Sequence, residues 1–133
     1  MSADFYALSP ADQTNRLAAL GAAALAHWPF GPCTLRPIKV RENAVFEART
    51  ADGTRYALRI HRPGYHSDAE LHSELEWMRA LQASGFAVPE IVPDSSGALF
   101  RSQAHPAVPE PRQVDVFAWI EGRQLGGVEG ALD

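Results

Sequence analysis

The chain has 133 residues, 46% hydrophobic and 21% charged, the proportions of one globular domain and not of a disordered or fibrous polypeptide. Its 16 acidic against 12 basic residues give a net charge of −4, which removes the counterion release that general nucleic-acid binding depends on. The apolar stretch Leu17 to Trp28 is interrupted by Gly21 and His27 and is too short to span a bilayer; with no secretory n-region and a single cysteine, Cys33, the composition predicts a cytoplasmic protein with no membrane or nucleic-acid partner.

The first predicted helix spans Ser9 to Trp28. Ser9 is an N-cap, Pro10 takes the first helical position, Asp12 lies in the first turn, and Leu17, Leu20, Ala23 and Ala24 recur at helical spacing before Pro29 ends it. Alternating apolar and polar residues predict strands near 34–40, 43–50 and 54–61, the last two joined through Asp52-Gly53, a strong hairpin signal. In the third strand Ala57, Arg59 and His61 share one face and Tyr56, Leu58 and Ile60 the other.

A second helix is expected from Ser67 to Ser84, opened by the capping box of Ser67 and Glu70 and closed by Gly85. Leu71, Leu75, Met78 and Leu81 fall within an arc of roughly 120° at about 100° per residue, and Glu74 lies inside that arc. A carboxylate on a buried face demands a cation, and Arg59 is the candidate. Beyond Pro89 the expectation is a hairpin: a short strand near Ile91, a turn at Asp94–Gly97 and a strand over Ala98–Ser102. Pro106, Pro109 and Pro111 predict a stiff loop over 105–112. Val114 to Ile120 reads as an almost continuously apolar, hence interior, strand.

Three strings in this order, Ala57-Leu58-Arg59-Ile60-His61-Arg62-Pro63-Gly64-Tyr65, then Ser73-Glu74-Leu75, then Trp119-Ile120-Glu121-Gly122, resemble the N-terminal lobe of aminoglycoside phosphotransferase family kinases, which include choline-kinase-like and homoserine-kinase-like members. The resemblance covers about residues 34–125. It implies an α+β, protein-kinase-like lobe: a five-stranded, mainly antiparallel sheet with one packed helix, preceded by a helical segment over 1–33 and followed at 126–133 by a linker to an absent C-lobe.

It also implies ATP binding. Arg59 stands where the family has the phosphate-holding lysine, paired to Glu74; Ala57 and Val45 would flank the adenine; Asn43 lies in the turn covering the phosphates; the C=O of Ala118 and N–H of Ile120 would meet the adenine edge. The turn Arg41–Ala44 holds no glycine, a departure from the glycine-rich cover of protein kinases. Mg²⁺ ligands and the orienting carboxylate belong to a C-terminal lobe whose motifs do not follow Gly122, so the chain alone is expected to be inactive. His66-Ser67-Asp68 only mimics the catalytic loop.

Each residue also has a plain structural reading. Arg59 and Glu74 suit an ion pair at a helix–sheet contact as well as a phosphate site. His61, His66 and His72 read as surface or loop residues and not as a metal set, Cys33 as an inert thiol, and Trp77 and Trp119 as packing. The alternative function is a non-catalytic, kinase-like module that self-associates or binds a partner, such as the missing C-lobe, through the face that lobe would cover.

Overall fold

The structure, a computed structural model, describes residues 2–40, 43–64 and 66–120. The expected Glu121-Gly122 motif, the linker over 126–133, Tyr65 and the Arg41-Glu42 half of the turn lie outside the described residues. In chain order the elements are α1 (Ser2–Ala7), α2 (Pro10–Leu25), β1 (Cys33–Val40), β2 (Ala44–Thr50), β3 (Arg55–Ile60), α3 (Asp68–Ala83), β4 (Arg101–His105) and β5 (Val108–Ala118). The strands form one antiparallel sheet in the order β1-β2-β3-β5-β4.

Local chemistry explains where the elements begin and end. Ser9 Oγ accepts the Asp12 N–H at 3.1 Å and starts α2. At α3, Ser67 Oγ accepts from Glu70 N–H at 3.1 Å while Glu70 Oε1 accepts from Ser67 N–H at 2.8 Å, the reciprocal capping box that the sequence predicts. Its C-terminus closes with Gly85 N–H to Gln82 C=O and Phe86 N–H to Leu81 C=O, both at 3.0 Å, and Gly85 has φ +93, which a residue without Cβ adopts at no steric cost. Between β2 and β3 the Asp52 carboxylate takes the Thr54 N–H and the Thr50 hydroxyl, fixing the predicted hairpin.

Two apolar layers enclose the sheet. On one face Leu17, Leu20, Ala24 and Leu25 of α2 pack on Phe46, Leu58, Ile60, Val114 and Val116. Each fully buried aliphatic or aromatic side chain contributes about 1.5–3 kcal/mol. Gly21 lets α2 sit close, since a Cβ there would lie 2.8 Å from Leu58 Cδ2. On the other face Leu71, Leu75 and Met78 of α3 pack on Ala57, Phe117, Ile91 and Leu99. Trp28 Nε1 donates to the Val92 C=O at 2.8 Å and ties the end of α2 to the segment before β4.

The region after α3 departs from the sequence reading. Ile91 bridges Phe117 of β5 and does not pair with a strand at 98–102; the fourth strand starts three residues later, at Arg101, and its hairpin partner is β5. Asp94 explains the delay. Its buried carboxylate accepts from Ser96 N–H (2.9 Å), Ser96 Oγ (2.7 Å), Ala98 N–H (2.9 Å) and Arg101 Nη1 (2.8 Å), so the chain is held in a turn until the strand begins. Burial opposes ionisation there, but the bonds from Ser96 and Arg101 prevail and bring its pKa down to about 2.

Of the stretch 105–112 expected as a stiff loop, only Pro106-Ala107 forms a turn; His105 ends β4, and β5 takes up Pro109 and Pro111. Gln113 C=O accepts from His61 N–H at 2.9 Å, and regular pairing of β5 with β3 starts at Val114. Pro109 and Pro111 precede that pairing and lie where the register with β4 shifts, between Gln103↔Arg112 and His105↔Val108, so neither removes a bond from a regular ladder. Helix α1 was not signalled by the sequence; its six residues are too few for a periodic pattern.

Candidate functional site

Alternation along three neighbouring strands builds the sheet face beneath α3. Cross-strand pairing sets Val45 opposite Arg59, Glu47 opposite Ala57, Arg59 opposite Asp115 and Ala57 opposite Phe117. The expected site residues Val45, Ala57 and Arg59 therefore share this face, and Asn43 stands just before β2.

Arg59 is 6% exposed and is held chiefly by a residue that the sequence reading did not single out. Its Nε and Nη2 donate to Asp115 Oδ1 and Oδ2 at 3.0 and 2.7 Å, a fork-on-carboxylate pair in the interior of the domain. The expected contact with Glu74 is present but longer, Nη2 to Oε2 at 3.5 Å. Burial works against the charge on Arg59, yet the Asp115 carboxylate and then Glu74 more than offset it and raise the guanidinium pKa. Asp115 also accepts from, or pairs with, His61 Nε2 at 2.9 Å. Burial opposes ionisation of Asp115 too, and Arg59 and the His61 ring overcome it, holding the carboxyl well below the usual carboxylate range.

His61 is thus a correction: it is 1% exposed, an interior partner of Asp115 and not a surface residue. The reason is register, since the face of β3 that carries Arg59 continues through His61 under α3. His66 Nε2 lies 3.5 Å from Glu74 Oε1 at the edge of the same network. Among the described residues no group of three metal-ligating side chains converges.

Around this pair the remaining predicted residues take distinct places. Ala57 and Val45 are buried, 4% and 6% exposed, and Ala57 touches the α3 cluster. Asn43 is buried, and among the described residues its Oδ1 has no hydrogen-bond partner. Ala118 ends β5 with its N–H donated to the Glu90 C=O at 2.8 Å, and Ile120, half-buried, is the last described residue. Glu47, beside Ala57, draws Arg36 at 2.8 Å and Arg49 and Arg55 at 3.5 Å; the Arg36 bond, against burial, lowers its pKa. Arg55 in turn lies over the Trp119 ring, 5.2 Å from its centroid. Trp77 corrects its packing assignment, being 64% exposed on the outer side of α3. Cys33 is partly covered, and burial pushes its thiol pKa up, in keeping with an inert thiol.

A five-stranded antiparallel sheet carrying a helix on the face where a strand cation meets a helix glutamate is the N-terminal lobe of the kinase fold. The match to the family model of the phosphotransferase enzyme family covers residues 34–132, and the chain belongs to that family. Among solved structures it is similar to a microcompartment-associated aminopropanol kinase, at 27% identity and TM-score 0.71 over 86% of this chain and 39% of that one. It is also similar in fold to an amicoumacin kinase in complex with AMP-PNP, Ca²⁺ and Ami, at 22% identity and TM-score 0.60 over 92% of this chain and 35% of that one. The chain therefore spans well under half the length of these kinases. No curated protein matches it. No described helix is long and apolar enough to cross a membrane.

Proposed function

We propose that this chain is the ATP-binding lobe of a small-molecule phosphotransferase. The observation that carries the reading is the buried Arg59, anchored by Asp115 and Glu74 on the face that also carries Ala57 and Val45. The residues present fit a nucleotide. Ala57 is small enough to leave room for a ring, Val45 supplies an apolar cover, and Asn43 keeps a buried polar atom without a partner among the described residues. In this reading the Ala118 C=O and Ile120 N–H meet the adenine edge, and Arg59 faces the phosphates.

The charge balance refines the role of Arg59. One guanidinium stands between two carboxylates, so it orients a phosphate oxygen but cannot by itself neutralise a triphosphate. Mg²⁺ accompanies the nucleotide and supplies that neutralisation, with its ligands and the carboxylate that orients the acceptor coming from a second lobe. Nε and Nη2 are committed to Asp115, which leaves Nη1 as the nitrogen for a phosphate.

Calorimetric titration of the chain with Mg-ATP tests this. Saturable binding is expected, weakened about tenfold or more in Arg59→Ala, which removes the cation that faces the phosphates. Circular dichroism checks that the variant is folded. Absence of heat in the unsubstituted chain, or equal affinity in folded Arg59→Ala, overturns the assignment. With aminoglycosides, choline or homoserine as acceptors, no phosphorylation by this chain alone is expected.

A further inference from the structure

We infer that the chain carries a second binding site, for a small organic acid, on the opposite side of the sheet, between α1, α2 and the ends of β1 and β5. The central observation is Arg112. It is 6% exposed, yet its two hydrogen bonds are long, Nη1 to the His61 C=O at 3.5 Å and Nη2 to the Tyr6 Oη at 3.4 Å, and its Nε is buried with no partner. A guanidinium offers five N–H donors, and good N–H···O bonds lie near 2.9 Å.

Every other buried, ionised group in the described residues has a counter-ion in contact: Arg59 with Asp115, Glu47 with Arg36, Asp94 with Arg101. No such pair forms at Arg112 among the described residues. Glu110 reaches it only through the Tyr6 hydroxyl, which donates to Glu110 Oε1 at 2.8 Å. Isolated buried charge is costly, and an anion supplied from outside the chain would offset that cost at Arg112. The ring of Phe5, 5.8 Å from the guanidinium, gives partial compensation only.

Arg112 lines a cavity of about 340 Å³. Arg62 and Tyr6 line it too, adding a second cation and a hydroxyl. Phe5, Leu17 and Ala44 form its apolar wall, with Val40 at the rim, 41% exposed. Cations at one end and hydrocarbon along the wall select a molecule with a carboxylate and a compact apolar body; a fully hydrated inorganic ion would leave that wall unused. Because Ala44 and Leu17 belong to the core layer on the α2 side, the cavity is separate from the Arg59 face.

The test uses 4-fluorobenzoate as probe, followed by its ¹⁹F resonance during titration with the 133-residue chain. A saturable shift is expected, with affinity lower by about 10–100-fold in Arg112→Leu, the range set by a charge-assisted pair. Val40→Trp, at the exposed rim, fills the mouth without touching the core and is expected to abolish the signal; it decides the matter if Arg112→Leu does not fold. The neutral 4-fluorobenzyl alcohol is expected not to bind. Lack of saturation with the unsubstituted chain, equal binding of the alcohol, undiminished binding in folded Val40→Trp, or displacement by an equal concentration of inorganic phosphate would each overturn the organic-acid site.

Discussion

Replacing Asp115 by Asn should cost this fold far more than replacing Glu74 by Gln, although Glu74 is the partner that the sequence assigns to Arg59. Asp115 is fully buried and receives both the 3.0 and 2.7 Å bonds from Arg59 and the 2.9 Å contact from His61. An amide of the same shape keeps one acceptor but removes the charge, leaving the Arg59 guanidinium interior with only Glu74 at 3.5 Å. Breaking a buried pair from one side typically costs about 3–5 kcal/mol, a large part of the roughly 5–15 kcal/mol that holds a domain together.

Glu74, with 22% of its side chain exposed and at the longer distance, should yield about 1 kcal/mol or less. Urea unfolding followed by circular dichroism separates the two: Asp115→Asn should lower the midpoint by about 2 M, and Glu74→Gln by a few tenths. The paired change Arg59→Met with Asp115→Leu should recover much of the loss, because no charge is then stranded. Equal effects of the two single substitutions, or Asp115→Asn costing under about 1 kcal/mol, would refute the assignment of Asp115 as the principal anchor.

Acid should destabilise the fold in a defined window. The pKa of Asp94 falls from 3.8 to about 2 in the folded state, so its contribution is complete above pH 4 and is lost as pH drops through 2. The amount is on the order of 2 kcal/mol, and Asp115 adds loss in the same direction as acid protonates it. Melting temperature against pH should therefore fall below pH 4, and Asp94→Asn should flatten the curve between pH 4 and 2; an unchanged profile would contradict the bonds assigned to its carboxylate. Gly21→Ala places a Cβ 2.8 Å from Leu58 Cδ2, and overpacking of about 1–3 kcal/mol outweighs the gain of about 1 kcal/mol in helix propensity. A net loss of up to about 2 kcal/mol is expected in thermal melts, and a more stable variant would show that α2 can move away from the sheet.

What could be read from the residues follows the range of each signal. The Ser67–Glu70 box, the Asp52-Gly53 hairpin and the Ser9 cap are local, and the structure keeps all three. The pairing of Arg59 with Glu74 needed only helix and strand periodicity, and it is present. Asp115 was hidden because Val114–Ile120 reads as an apolar run, where one acidic residue looks like noise. The usable clue was chemical: a lone carboxylate in an interior strand requires cations on its own face, and β3 offers Arg59 and His61 there. Pro109 and Pro111 misled because their tolerance depends on where β3 ends, a fact of the neighbouring strand. Trp77 misled in the other direction, since side-chain size says nothing of which way a helix face points.

The two prolines of β5 have a further consequence for the behaviour of the chain in a crowded solution. The stretch Val108–Arg112 runs past β3 and has a strand neighbour on one side only, β4, so its other side is a sheet border of the kind that recruits stray strands into aggregates. Within that stretch Pro109 and Pro111 carry no N–H to offer, and α1 lies alongside through the Tyr6–Glu110 bond. A visiting strand finds carbonyl oxygens but too few donors to register against, so the same residues that allow β5 to be long also keep its overhang from acting as a template for polymerisation.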